Sequence, residues 1–223
     1  MKEEIERWRL AQIIQHLAWF WSFLVLAATG LSFKYAHTDI AKLYVSVIGG
    51  YESRRMIHRI AAGFWIGTAL THVFYYTVID RGKKAIIPGR NDVSVFLQHW
   101  RYLFRRTDER PRFGRYSWYE KFEYWAGGAG FLVMATTGLL MWLKYDLTMK
   151  YLPLAVINVA RRIHGWEATL AVLFVGVFHL YINIWRPGVF PMAGHFISGM
   201  MSVEKLKEEH PLEYEELLRD GRL

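Results

Sequence analysis

The chain has 223 residues, a net charge of +8 and no cysteine. Without cysteine there are no disulfides, no iron–sulfur clusters and no c-type haem attachment, so any metal centre must rely on His, Met or carboxylates. More than half of the residues are apolar, and they gather into four blocks of about the twenty residues needed to span a bilayer.

In chain order the blocks cover 11–33, 55–79, 121–143 and 157–185. The first is no cleavable signal, because it is long, lacks a small-residue cleavage pattern and contains His16. The expected fold is all-α: an integral membrane four-helix bundle forming one domain over 1–223. The loop 80–119 holds ten Lys/Arg against four acids. Positive-inside topology therefore puts it in the cytoplasm, together with the N-terminus and the tail 186–223. The same rule accounts for the net charge without nucleic acid. The loop 144–154, with two lysines, is expected outside. Within the cytoplasmic loop, "NDVSVFLQHWRYLFRR" follows N-cap residues Asn91 and Asp92 with apolar and basic positions at helical spacing. It predicts an amphipathic helix in the membrane interface. "RPGVFPMAGHFISGMM" predicts a second interfacial segment. The tail "VEKLKEEHPLEYEELLRDGRL" predicts a solvated helix broken at Pro211.

The two halves resemble each other. "LAATGLSF" ending span one recurs as "MATTGLLMW" ending span three, and "RRMIH" opening span two recurs as "RRIH" opening span four. Duplication and convergence on one set of constraints both account for so short a repeat.

Five of the nine histidines fall within the spans: His16, His58, His72, His164 and His179. Ionisable groups inside a bilayer are costly and mark function. At the ~1.5 Å helical rise, His58 and His164 lie near the outer face, while His16, His72 and His179 form a layer ~21 Å deeper. At ~100° per residue, His72 returns to within ~40° of His58, and His179 to within ~60° of His164. Each helix can aim both histidines at the bundle core. Two matched layers of imidazole suit two stacked bis-histidine haems, since an iron held from both axial sides needs two imidazoles at one depth. A lone histidine of this kind would ordinarily serve hydrogen bonding or proton handling. Small residues beside a flat porphyrin are supplied by Gly30, Gly63, Gly67, Gly127, Gly128, Gly130, Gly138 and Gly176. Arg54, Arg55, Arg161 and Arg162, on the side where positive charge is not expected, stand one turn from His58 and His164. They are candidate partners of the outer haem's propionates, with lipid headgroups as the other reading. Lys121, Glu120 and Glu123 are either a proton relay or ordinary charged span ends. His37, His99, His195 and His210 are expected at the surface.

The order of a histidine in span one, "IHRIAAG" in span two and "RRIHG…H" in span four resembles the four-helix dihaem cytochrome b subunits. These anchor respiratory formate dehydrogenases, thiosulfate reductases and nickel–iron hydrogenases. "FGRYSWYEKFEYW", "VFPM" and "EEHPLEYEE" look like the formate dehydrogenase members in particular. The resemblance implies two haem b groups, the outer held by His58 and His164 and the inner by His16 and His179. His72 stands as the alternative to His16, which would clamp both haems between spans two and four. The resemblance further implies a quinone, menaquinone or ubiquinone, near Gly114, Arg115, Tyr116 and Ser117. Those formate dehydrogenase members typically carry Asn where this chain has Ser117. Implied partners are membrane lipid and a periplasmic iron–sulfur or multihaem cytochrome subunit, with a molybdenum or haem catalytic subunit beyond. The implied location is a bacterial or archaeal cytoplasmic membrane. The function expected is electron transfer between the periplasmic subunit and quinone. A histidine-lined proton or divalent-metal transporter, or a non-redox anchor, are the alternatives.

Overall fold

A run of Leu, Ala, Trp and Phe with no proline favours uninterrupted helix, and Leu10–Lys34 form the first long helix, α1. The computed structural model describes residues 3–79, 84–144 and 148–223. The start of the predicted cytoplasmic loop (80–83) and the middle of the predicted outer loop (145–147) lie outside the described residues. After α1 come α2 (Asp39–Val47), α3 (Gly50–Phe74), α4 (Arg90–Leu103), α5 (Trp118–Trp142), the single turn α6 (Met149–Tyr151) and α7 (Leu154–Leu173). The tail holds α8 (His195–Ser198), α9 (Val203–Glu209) and α10 (Pro211–Arg219). α3 continues as π-helix over Tyr75–Ile79, and α7 does so over Phe174–His179 and Tyr181–Trp185.

Two short strands, β1 (Glu4–Glu6) and β2 (Met200–Ser202), pair antiparallel with Ile5 opposite Met201. The fold is therefore mostly helical rather than all-α. Three-residue strands are too short to show the alternation by which a strand is read from sequence. α4 also starts earlier than expected. Gly89 is its N-cap, and Asp92 reaches back to accept the Gly89 N–H at 2.6 Å.

Among the described residues, three helical segments are long and apolar enough to cross a membrane: α1, α5 and the continuous stretch Leu154–Trp185. α3 has the same 25-residue length as α1 and α5, but Glu52, Arg54, Arg55 and Arg59 in its first turns lower its mean hydropathy. The expected second span is thus a helix of spanning length that lacks the composition of the other three.

Contacts divide the chain into two units. One, the histidine unit, comprises Ile14–Thr77 and Gly127–Ala193. Its large apolar side chains point outward, as with Leu24, Phe64, Leu70, Leu132, Leu170 and Val177, while Ser22, Thr29, Ser32, Thr68 and Thr137 are buried. This polarity suits a lipid surround, where inward hydroxyls are tolerated because they bond the preceding helical turn. Thr29 donates to the Val25 carbonyl at 2.6 Å and Thr137 to the Val133 carbonyl at 2.6 Å.

The terminal unit comprises Met1–Ile13, Val78–Ala126 and Gly194–Leu223. Met201, Leu206 and Leu217 form its small apolar core, with Ile5, Tyr214 and Leu223 packed around them. Gly199 joins tail to N-terminus by accepting the N–H groups of Arg7 and Trp8 at 2.7 and 3.0 Å. Only glycine fits there, because its φ is +75° and a Cβ would lie 2.6 Å from the Trp8 carbonyl oxygen. The tail does break at Pro211, between α9 and α10. It is not merely a solvated helix, however: His210 and Glu213 are buried. Glu213 pairs with both Arg7 and Arg115, the latter at 2.7 Å. Arg7 and Arg115 each donate to the other's backbone carbonyl. His210 Nδ1 donates to the Gly114 carbonyl at 2.7 Å, which leaves Nε2 to accept from Arg7 at 3.1 Å.

The expectation that His99, His195 and His210 lie at the surface is therefore corrected, most plainly for His210, which is 3% exposed. His99 accepts the Trp118 indole N–H at 3.0 Å within an aromatic cluster that includes Phe113 and Tyr119. His195 meets Trp8 edge-on. His37 is exposed, as expected.

Burial, followed by the charge of Arg7, lowers the His195 imidazole from 6.5 to about 4. The same two causes push His210 below its ordinary value, against the opposing pull of Glu120, the Gly114 carbonyl and Glu213. Burial would raise the Glu213 carboxyl, but Arg7 and Arg115 hold it below the usual range. Below about pH 6.5 the opened chain binds protons that the closed unit refuses, so closure weakens with acid. The clamp is accordingly fully stable above about pH 6.5 and loses stability as pH falls toward about 4. The expected result is that amides in 203–219, corrected for intrinsic exchange, lose hydrogen-exchange protection between pH 7 and pH 5. Protection that is unchanged or increased over that interval contradicts it.

Candidate functional site

Helix periodicity brings histidines of α3 and α7 face to face in the histidine unit. The His58 and His164 ring centres lie 6.4 Å apart, with their planes inclined at 68°. A second pair joins α1 to the π-helical continuation of α7: His16 and His179 have ring centres 6.3 Å apart and planes inclined at 37°. The wider π turn rotates each residue by less than an α turn. It thereby reduces the ~60° offset that ideal α geometry leaves between His164 and His179. Along α7 the two pairs are about 20 Å apart.

His58, His164 and His179 each have a neighbouring polar group. Thr29 Oγ1 lies 2.8 Å from His58 Nδ1, and Thr137 Oγ1 lies 2.9 Å from His164 Nδ1. Gly30 and Gly138 follow those threonines, and a Cβ there would stand 3.5 Å from His58 Cε1 and 3.3 Å from His164 Cε1. Asn183 donates to the His179 carbonyl at 2.9 Å and reaches within 3.4 Å of its Nδ1. His72 has a different neighbourhood. Its Nδ1 donates to the Gln15 Oε1 at 2.8 Å, and its ring centre lies 4.6 Å from that of Tyr76.

The spacing fits axial ligation. Two imidazoles on opposite sides of one iron, each bonded at about 2 Å, have ring centres about 6 Å apart. In the first pair the outer nitrogens of His58 and His164 are already hydrogen-bonded, which is the usual support of a ligating histidine. His58 with His164, and His16 with His179, would hold two such groups. Among the described residues no three His, Cys, Asp or Glu side chains converge as a divalent-metal site would require.

The arginines beside the first pair divide in their surroundings. Arg54 is half-buried, donates to the Thr29 carbonyl at 3.0 Å and stands over the Phe33 ring. Arg55 is exposed and paired with Glu52, and Arg161 and Arg162 are exposed. Lys34 drew no attention in the sequence, yet its ammonium donates to the Gly165 carbonyl at 2.8 Å and to Thr169 Oγ1 at 2.6 Å. It also lies 4.1 Å above the Trp166 ring. Thr29, Thr137 and Gln15 were likewise missed. The repeated Thr-Gly dipeptide was the available signal for the threonines.

Gly114, Arg115, Tyr116 and Ser117 belong to the terminal unit. The Gly114 carbonyl serves His210, and Arg115 serves Glu213. Ser117 is fully buried, with its N–H and hydroxyl both donating to the Glu120 carboxylate at 2.7 Å. Lys121 bridges to Asp92 at 2.9 Å.

Known proteins similar to this chain are cytochrome b subunits. The cytochrome b556(Fdn) subunit of nitrate-inducible formate dehydrogenase from Escherichia coli is 24% identical over 195 residues, covering 87% of this chain and 83% of that protein. The formate dehydrogenase cytochrome b556 subunit of Haemophilus influenzae is 25% identical over 213 residues, 95% of this chain and 83% of that one. The cytochrome b556(fdo) subunit of Escherichia coli formate dehydrogenase is 21% identical over 219 residues, 97% and 94% respectively. The family model described as prokaryotic cytochrome b561 matches residues 7–190, which is most of the chain. The chain belongs to the prokaryotic cytochrome b561 family.

Proposed function

We propose that the chain is the membrane cytochrome subunit of a quinone-linked, formate dehydrogenase-like complex, with two b-type haems stacked between a periplasmic redox subunit and the quinone pool. Its family and its relatives make transmembrane electron transfer to the quinone pool the function. The observation that carries the two-haem reading is the pair of facing imidazoles repeated at two depths, 6.4 and 6.3 Å between ring centres.

Haem, when bound, supplies a one-electron iron couple. The protein's part is to hold and tune it. His58 and His164 grip the outer group, while His16 and His179 grip the inner one. Arg54, half-buried beside Thr29 and one turn from His58, is the best placed of the four arginines for a propionate. Outward apolar side chains keep water from the pairs. α3 is assigned as the second span, completing the four: its charges cluster between Glu52 and Arg59, and His72 lies well beyond them. Both termini and the basic loop 80–119 are then cytoplasmic in a bacterial or archaeal inner membrane. The quinone assignment to Gly114, Arg115, Tyr116 and Ser117 rests on the family resemblance.

Spectra of the purified protein, oxidised and reduced, with a haem count, test the reading. Two b-type haems per chain are expected. His16→Ala is expected to remove one and His72→Ala neither. A colourless protein overturns the electron-transfer reading. Loss of a haem from His72→Ala but not from His16→Ala overturns the inner pairing. A histidine-lined transporter is not favoured, since no group of three or more potential ligands converges among the described residues.

A further inference from the structure

We propose that Thr29 and Thr137 are positioning residues for the outer iron site: they fix the orientation and tautomer of His58 and His164 and so set that site's reduction potential. This rests on the reading of His58 and His164 as axial ligands.

The argument begins with where the hydroxyl protons go. Thr29 Oγ1 donates to the Val25 carbonyl at 2.6 Å, and Thr137 Oγ1 to the Val133 carbonyl at 2.6 Å. Each hydroxyl has one proton, so toward the imidazole it can only accept. Nδ1 of His58 and of His164 must therefore carry hydrogen, which leaves Nε2 with its lone pair. That is the nitrogen a metal needs.

Orientation follows from stiffness. Threonine is branched at Cβ, and the bond to the preceding turn locks its χ1. The acceptor is thus fixed in space by α1 for one ring and by α5 for the other. Gly30 and Gly138 keep the space beside Cε1 open; a Cβ at 138 would stand at 3.3 Å, closer than ordinary contact. The Thr-Gly dipeptide repeated in the two halves is therefore one device used twice, an acceptor followed by a gap.

The electronic effect has a definite sign. An acceptor on Nδ1–H pushes electron density into the imidazole and favours the oxidised iron, which lowers the potential. Removing it raises the potential.

Thr29→Val, Thr137→Val and the double variant keep side-chain shape and lose the acceptor, while Thr29→Ser restores it. Purified full-length variants are titrated potentiometrically, with haem counted and low-spin electron paramagnetic resonance recorded. In Thr29→Val one of two midpoint potentials should rise and the other stay in place. Its highest g value should move as the ring gains rotational freedom. Thr29→Ser should match wild type, and Thr137→Val should raise the same potential as Thr29→Val. Loss of one haem in Thr29→Val but not in Thr29→Ser supports the same role. Wild-type potentials in the double valine variant, or equal haem loss in Val and Ser variants, overturn it. Failure of the ligand assignment reads differently: His58→Ala would then retain both haems whatever the threonines do.

Discussion

His58→Ala and His164→Ala are each expected to yield protein with one haem per chain instead of two, the remaining haem keeping its wild-type spectrum. The imidazoles face each other at 6.4 Å between ring centres, so either substitution leaves a single axial nitrogen and an open space where the other ring stood. Changes to the partners that merely orient a ligating histidine cost about 10–100-fold in metal affinity. Loss of the ligand itself should exceed that range, enough for the haem to be lost during purification. The second pair lies about 20 Å away along α7, a separation at which independent sites behave additively. Its haem should therefore stay. The vacated space is the size of the missing ring, so imidazole added to the medium should restore part of the lost haem. Two retained haems in either variant would remove His58 and His164 from the ligand set.

The parts legible in the sequence were those the membrane makes conspicuous. A bilayer interior is so apolar that five histidines stand out, and helical periodicity then aligns 58 with 72 and 164 with 179. Depth alone could not separate His16 from His72. What distinguishes them is direction: His16 meets His179 at 6.3 Å, whereas His72 is held by Gln15, a residue whose position gives no hint of that contact. The π-helical stretch that carries His179 has no signature such as proline. Thr29 and Thr137 were hidden because a threonine in a membrane helix normally satisfies itself on the turn before it. Both do this, and accept from a histidine as well. The tail was the least legible part. Arg7 and Glu213 are 206 positions apart, and alternating charges in "EEHPLEYEE" look the same whether a glutamate faces water or two arginines.

Glu213→Ala is expected to destabilise closure of the terminal unit by about 3–5 kcal/mol, the cost of leaving buried charge without its partner. The Glu213 side chain is 7% exposed and that of Arg7 is 1% exposed, so water cannot replace the lost carboxylate. One carboxylate serves two guanidiniums here. Its removal leaves Arg7 and Arg115 facing each other, still tied by their reciprocal bonds to each other's carbonyls. Repulsion then adds to desolvation. Arg115→Met should cost less, on the order of 1.5–3 kcal/mol, as for a lost hydrogen bond to a charged group. Arg115 is partly exposed at 24%, and Glu213 keeps Arg7. Glu213→Gln should fall between the two, because it retains an acceptor and loses only the charge. Opening free energies from hydrogen exchange of amides in 203–219 at pH 7 give the order directly. An Arg115→Met cost equal to or above that of Glu213→Ala would show that the carboxylate is not the centre of the clamp. If the clamp acts only on the terminal unit, haem content should be unchanged in all three variants.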